Sequence, residues 1–186
     1  MSLKLHSRVI EMTIRMRRNP TAQKRKTPGR LEWMGYLLAA MANKLPLIPL
    51  RLRAKLETAR IARLATIDSQ RRPHVVPICF VWDGSVFYSA IDSKPKRVAP
   101  SRLARLKNIR ETPHVALLVD QYDEDWTRLW YVLVRGKAEL VSAAAERKRA
   151  ILRLRGKYPQ YDANMLAEDA PVLRITPVRI IAWGKI

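Results

Sequence analysis

Residues 88–141 read YSAIDSKPKRVAPSRLARLKNIRETPHVALLVDQYDEDWTRLWYVLVRGKAELV. A short strand closes on Ser89, Ala90, Ile91 and Asp92 and runs into Lys94-Pro95-Lys96. A basic helix is expected from Ser101 to Thr112, with Ser101 as N-cap and Leu103, Leu106 and Ile109 along one side. Pro113 stops it. The fourth strand is His114 to Val119, followed by an acidic-aromatic loop from Gln121 to Trp130. The fifth and longest strand spans Leu129 to Val141, and Gly136 marks a bulge in it. This order sets cations and strand hydroxyls at one end of a small barrel, beside tryptophans. Phosphate joined to a flat ring is the ligand such a surface suits.

Working outward, Leu52, Leu56, Ile61 and Leu64 fall on one side of a helix that runs into a first strand, Leu64 to Ile67. A turn at 68–73 leads to a second strand, His74 to Val81. Asp83-Gly84 is a hairpin signal before the third, Val86 to Ile91. Ser142 is placed as the cap of a second helix that reaches Leu154, with Gly156 at its end. Val172–Ile175 and Val178–Trp183 form a last strand or strand pair, bent at Pro177. Antiparallel strands with two helices argue for a mainly β fold, a barrel-like sheet with flanking helices. In the fifth strand Trp130, Val132 and Val134 face one way and Leu129, Tyr131 and Leu133 the other. One face fills a barrel; the other needs a cover, which a partner subunit would supply.

The formal net charge is +20 over 186 residues. Residues 1–50 carry ten Lys/Arg against two Glu and read as a basic N-terminal extension, disordered or partly helical. A polyanion-binding or targeting tail, a membrane-surface segment and a true start at Met34 or Met41 all fit it. Leu31 to Leu50 reads as a short amphipathic helix against the domain or a membrane face. Residues 51–186 form the folded domain. Such a field attracts phosphorylated cofactors, nucleic acid and acidic membrane without choosing among them. The longest uncharged apolar run, Trp33 to Asn43, is too short to span a bilayer. A lone cysteine, Cys79, suits a reducing compartment, so a cytoplasmic protein is expected.

Familiar catalytic motifs are missing from the sequence: no dinucleotide glycine fingerprint, no P-loop, no nucleophile elbow, no zinc-protease helix. Asp120, Asp123, Glu124 and Asp125 read as a solvated loop rather than a metal site. His74 reads as a surface residue at a strand end, and Cys79 as a small core residue. Lys94, Lys96, Arg97, Arg102, Arg105 and Lys107 are either a solvated helix face or an anion site. Ser89, Ser93 and the nearby helix N-terminus favour the anion site. Trp126 and Trp130 either stack on a ring or serve as core and dimer contacts.

At these residues the chain from about Leu52 to Trp183 resembles the pyridoxamine 5'-phosphate oxidase-like split-barrel superfamily, and within it the F420-dependent branch. Ala62 to Thr66, Pro73 to Pro77, Lys94-Pro95-Lys96 and Leu106 to Ile109 carry the general likeness. Asp120 to Trp130 and Lys157-Tyr158-Pro159-Gln160-Tyr161 carry the likeness to the branch. The resemblance implies a homodimer of six-stranded split β-barrels with a cofactor in each of two interface grooves. It implies that Val75, Val76 and Pro77 back the ring, and that Ser89, Ser93, Lys94 and Lys96 hold phosphate. Lys107 and Asn108 would sit on the helix side of the groove, and Trp183 would reach the cofactor. Oxidase relatives end the second strand with a phosphate-binding lysine, where this chain has Ile78 and Cys79. That weakens FMN and leaves room for F420.

The expected function is an F420- or FMN-dependent oxidoreductase acting on a small conjugated substrate. The cofactor's own hydride chemistry makes an acid–base pair unnecessary, so no catalytic residue and no metal ligand is assigned. A non-catalytic carrier or sensor, and a polyanion or membrane-surface binder acting through the tail, are the alternatives. No specific nucleic-acid partner is expected.

Overall fold

A computed structural model describes residues 48, 50–94 and 103–184. The N-terminal extension apart from Ile48 and Leu50, and Lys96, Arg97, Ser101 and Arg102, lie outside the described residues, and with them nearly all of the amphipathic helix expected from Leu31 to Leu50. The elements are α1 (Leu50–Thr58), β1 (Ala62–Ile67), β2 (Pro73–Ile78), β3 (Val81–Trp82), β4 (Phe87–Ala90), α2 (Ala104–Glu111) and β5 (His114–Gln121). A short 3-10 helix (Trp126–Arg128), β6 (Trp130–Leu140), α3 (Ala144–Lys157) and β7 (Val172–Gly184) complete the order. All pairings are antiparallel, in the order β2-β1-β5-β6-β7-β4-β3. The result is a curled half-barrel of seven strands rather than six. The extra strand arises because the stretch expected as one strand, His74 to Val81, breaks after Ile78.

Alternation builds the concave side. Leu64, Leu117, Val119, Val132, Val134 and Ile175 are fully buried, while their chain neighbours Arg63, Leu118, Leu133 and Arg135 face outward. Leu52 and Leu56 of α1 and Leu106 and Ile109 of α2 close this core. A second cluster joins Tyr88, Val172 and Leu166 to Ala150, Ile151 and Leu154 of α3. Burying such side chains is the main stabilising term, about 1.5–3 kcal/mol each. Ile61 departs from expectation: it precedes β1 and is exposed.

The helix starts also differ from expectation. α2 begins after Leu103 and α3 after Ala143, neither with a side-chain cap, so Ser142 does not cap α3. α3 runs through Gly156 to Lys157. β7 is one continuous strand through Pro177, not a pair. The bulge at Gly136 is present, with a register shift between Arg135 and Gly136. A Cβ on Gly136 would lie 2.5 Å from the Thr176 carbonyl oxygen, so only glycine fits against β7 here. No helix among the described residues is long and apolar enough to cross a membrane.

Candidate functional site

β2 and β3 stand at opposite edges of the sheet, yet only Cys79 and Phe80 separate them along the chain. The sheet must therefore curl until its edges meet, and the meeting line is a seam in the barrel. Phe80 fixes this seam. Its N–H donates to the Tyr158 hydroxyl (2.9 Å), and that hydroxyl donates back, shared between the carbonyls of Phe80 (2.8 Å) and Arg60 (2.9 Å). Burial pushes the Tyr158 phenol up to about 12, which keeps it protonated for this role. Lys157 braces the same place. Its Nζ sits 4.0 Å from the Phe80 ring centroid and donates to the Leu56 carbonyl at 3.1 Å.

Beside this link the seam opens into a cavity of about 350 Å³. Pro77, Ile78 and Cys79 form one wall and Ser89 and Ala90 of β4 the other. Asp92, Lys94, Arg105 and Tyr161 supply its polar lining. The Asp92 carboxylate accepts from Lys94 Nζ (2.8 Å) and from the Tyr161 hydroxyl (2.9 Å), and Lys94 Nζ lies 5.2 Å from the Tyr161 ring. The bond to Asp92 raises the Lys94 pKa, and burial foremost raises that of Tyr161. Tyr161 is thus a fixed O–H and not an acid at neutral pH. Arg105 is the group out of balance. Its Nε is buried with no acceptor among the described residues, and burial lowers its pKa against the pull of Asp92. A buried charged donor left unpaired costs about 1–3 kcal/mol or more, which an anionic acceptor in the cavity would recover.

Of the residues expected from sequence, Pro77, Ser89 and Lys94 line this cavity. Ser93 is exposed at its edge, its N–H donating to the Met165 carbonyl at 2.8 Å. Val75 is 56% exposed on the outer side of β2, and Val76 points into the core. Lys107 faces solvent 4.0 Å from Glu111. Asn108 is buried, donating to Thr66 Oγ1 at 3.0 Å as an internal polar pair. Neither lines the cavity. Cys79 is half-buried: it packs against the second cluster, and it also forms part of the cavity wall. Trp130 is core, its indole N–H donating to Gln121 at 3.1 Å. Arg63 pairs with Asp120, and Arg128 with Asp123 and Asp125, which takes up three of the loop's carboxylates.

The outer side of the sheet is apolar at one end. Strand register sets Leu118 beside Leu133 and Leu133 beside Ile181, with Tyr131 beside Trp183. Trp183 is 54% exposed and stacks on Tyr131, centroids 5.8 Å apart.

The sequence model of the pyridoxamine 5'-phosphate oxidase family matches residues 48–184. The chain belongs to that family. No curated protein sequence matches it. Among solved structures of this fold, an F420 reductase shares 23% identity at a TM-score of 0.55, covering 72% of this chain and 98% of that one. HutZ, the heme storage protein of Vibrio cholerae, shares 17% at 0.58, covering 76% and 96%. A conserved hypothetical protein of Mycobacterium tuberculosis shares 19% at 0.55, covering 88% and 90%. At these identities the likeness is one of fold. The pyridoxamine 5'-phosphate oxidase family thus accounts for the half-barrel.

Proposed function

We propose that this chain is an oxidoreductase that binds F420, with FMN as the alternative, along the seam, and serves hydride transfer to or from a small conjugated substrate. The observation that carries the reading is the half-buried Arg105, whose Nε is buried and has no acceptor among the described residues, in a cavity that Lys94 and Ser89 also line. These donors fit the anionic arm of either cofactor. Asp92 neutralises part of Lys94, so Arg105 supplies most of the uncompensated charge. Pro77 and Val75 would back the ring where β2 turns outward. Bound there, either group brings its own hydride chemistry. The protein's part is to hold the arm, exclude water and set positive charge near the ring.

A second copy of the chain is the natural cover for the apolar end of the outer face, and Trp183 would reach the cofactor across that contact. Lys96 remains a candidate for the same arm.

The test is direct. The protein is isolated from a host that makes both cofactors and its absorption spectrum recorded; F420 and FMN are then titrated by fluorescence. Arg105→Gln should weaken binding about 10–100-fold, the worth of one hydrogen bond to a charged group. Failure of the wild-type protein to bind either cofactor sinks the proposal. Tight binding without turnover of any reductant–substrate pair moves it to a carrier.

A further inference from the structure

At the other end of the outer face, away from the seam, lies a cleft of about 510 Å³, within the size range of small-molecule sites. Register explains it. Ala65 lies beside Ala116, so the floor is made of two of the smallest side chains. Ile67 and Pro73 rise on one side. On the other, the bulge at Gly136 leaves Val178 without a partner on β6 and 64% exposed. The polar lining includes His114, Arg135 and Lys137, and among the described residues no carboxylate lines the cleft. Arg179 pairs in register with Arg135 and adds a fourth basic group beside it.

None of these four makes an ion pair or side-chain hydrogen bond among the described residues. Elsewhere Arg63, Arg72, Arg128 and Arg174 each hold a carboxylate. Unpaired cations around an apolar floor call for an anion with an aliphatic body. Among the described residues no Phe, Tyr or Trp lines the cleft, and its one hydroxyl, on Thr66, is already bonded to Asn108. A flat or sugar-like ligand finds little there.

We propose that this cleft binds an aliphatic carboxylate of fatty-acid type, its chain on Ala65 and Ala116 and its head on Arg135 and Lys137. A second copy is a poorer occupant. A two-fold axis here would bring Arg135, Arg179 and Lys137 against their own images, and like charges so placed repel. A membrane surface is poorer too, because the apolar area is recessed between charges rather than protruding.

The proposal is tested by calorimetric titration of the full-length protein with sodium laurate below its micelle concentration. One saturable site per protomer is expected, with dodecanol bound more weakly. Arg135→Gln should weaken laurate about 10-fold or more, the effect of losing one charge-assisted hydrogen bond. Ala116→Leu fills the floor and should abolish binding. If that variant misfolds, Arg135→Gln alone decides. No saturable heat, or equal affinity for wild type and Arg135→Gln, overturns the proposal. So does binding to anionic vesicles without binding to monomeric laurate, and so does a dimer that loosens when Arg135 is replaced, since the cleft would then be an interface. The cofactor titrations read the other cavity, so the two proposals fail separately.

Discussion

Replacing Tyr158 by Phe removes one oxygen and nothing else, and the oxygen is the pin of the seam. In the wild-type protein it accepts from the Phe80 N–H and serves the carbonyls of Phe80 and Arg60, all at 2.8–2.9 Å. Phe80 is fully buried, so its N–H cannot turn to water once the oxygen is gone. The cost of a buried donor left unmade is about 1–3 kcal/mol. For a folded part of this size each kcal/mol lowers Tm by roughly 3–5 °C, so a centre value of about 2 kcal/mol gives about 6–10 °C. The ring still fills its place, so no cavity cost is added. Thermal unfolding followed by circular dichroism measures the shift, and hydrogen exchange at the Phe80 amide reports the mechanism. Protection there should drop more than at Leu117, which sits in the middle of the sheet. A Tm within about 1 °C of wild type, with the Phe80 amide still protected, would show that something else holds the two edges together.

Gly136→Ala should destabilise by about 1–3 kcal/mol, the usual range for overpacking, because the new methyl meets the backbone oxygen of Thr176, which cannot step aside. An unchanged urea midpoint would mean the β6–β7 register is other than described. Burial, helped by Arg60, lowers the Lys157 pKa from 10.5 to about 8, so the unfolded chain binds its proton more tightly than the folded one. This group's contribution to stability therefore rises as pH climbs from about 8 to 10.5 and is lost as pH falls back through 8. The side chain is partly exposed and the effect accordingly moderated by solvent; Lys157→Met should flatten the rise in urea midpoint between pH 7.5 and 10. An identical pH profile in the two proteins would contradict the burial argument.

The strands that alternate were readable from the chain. Val115 to Val119 and Trp130 to Val134 show their buried side by period alone, and Gly136 announced its bulge. The break after Ile78 was not readable, because Cys79 and Phe80 look like more strand until the fold needs a crossing between sheet edges. The site was partly legible for the same reason. Ser89 and Lys94 lie close in sequence and both line the cavity. Arg105 stood within the basic run but had no local mark of burial. Tyr161 comes from another part of the chain, and only its motif, Lys157 to Tyr161, pointed to it. Asn108 looked like a groove residue because its real partner, Thr66, is far away in sequence. The serine caps failed because the helices start at Leu103 and Ala143, whose apolar side chains make no cap hydrogen bond.

The crossing at Cys79 and Phe80 also decides where this chain can change length. The turns at 68–72 and 83–86 lie between paired strands and can gain residues at little entropic cost. A single residue inserted between Ile78 and Val81 would lengthen the short covalent tether between the two sheet margins. The opening beside it would widen and Pro77 would drift from Ser89. Homologous chains of different length should therefore keep this span constant while their hairpins vary.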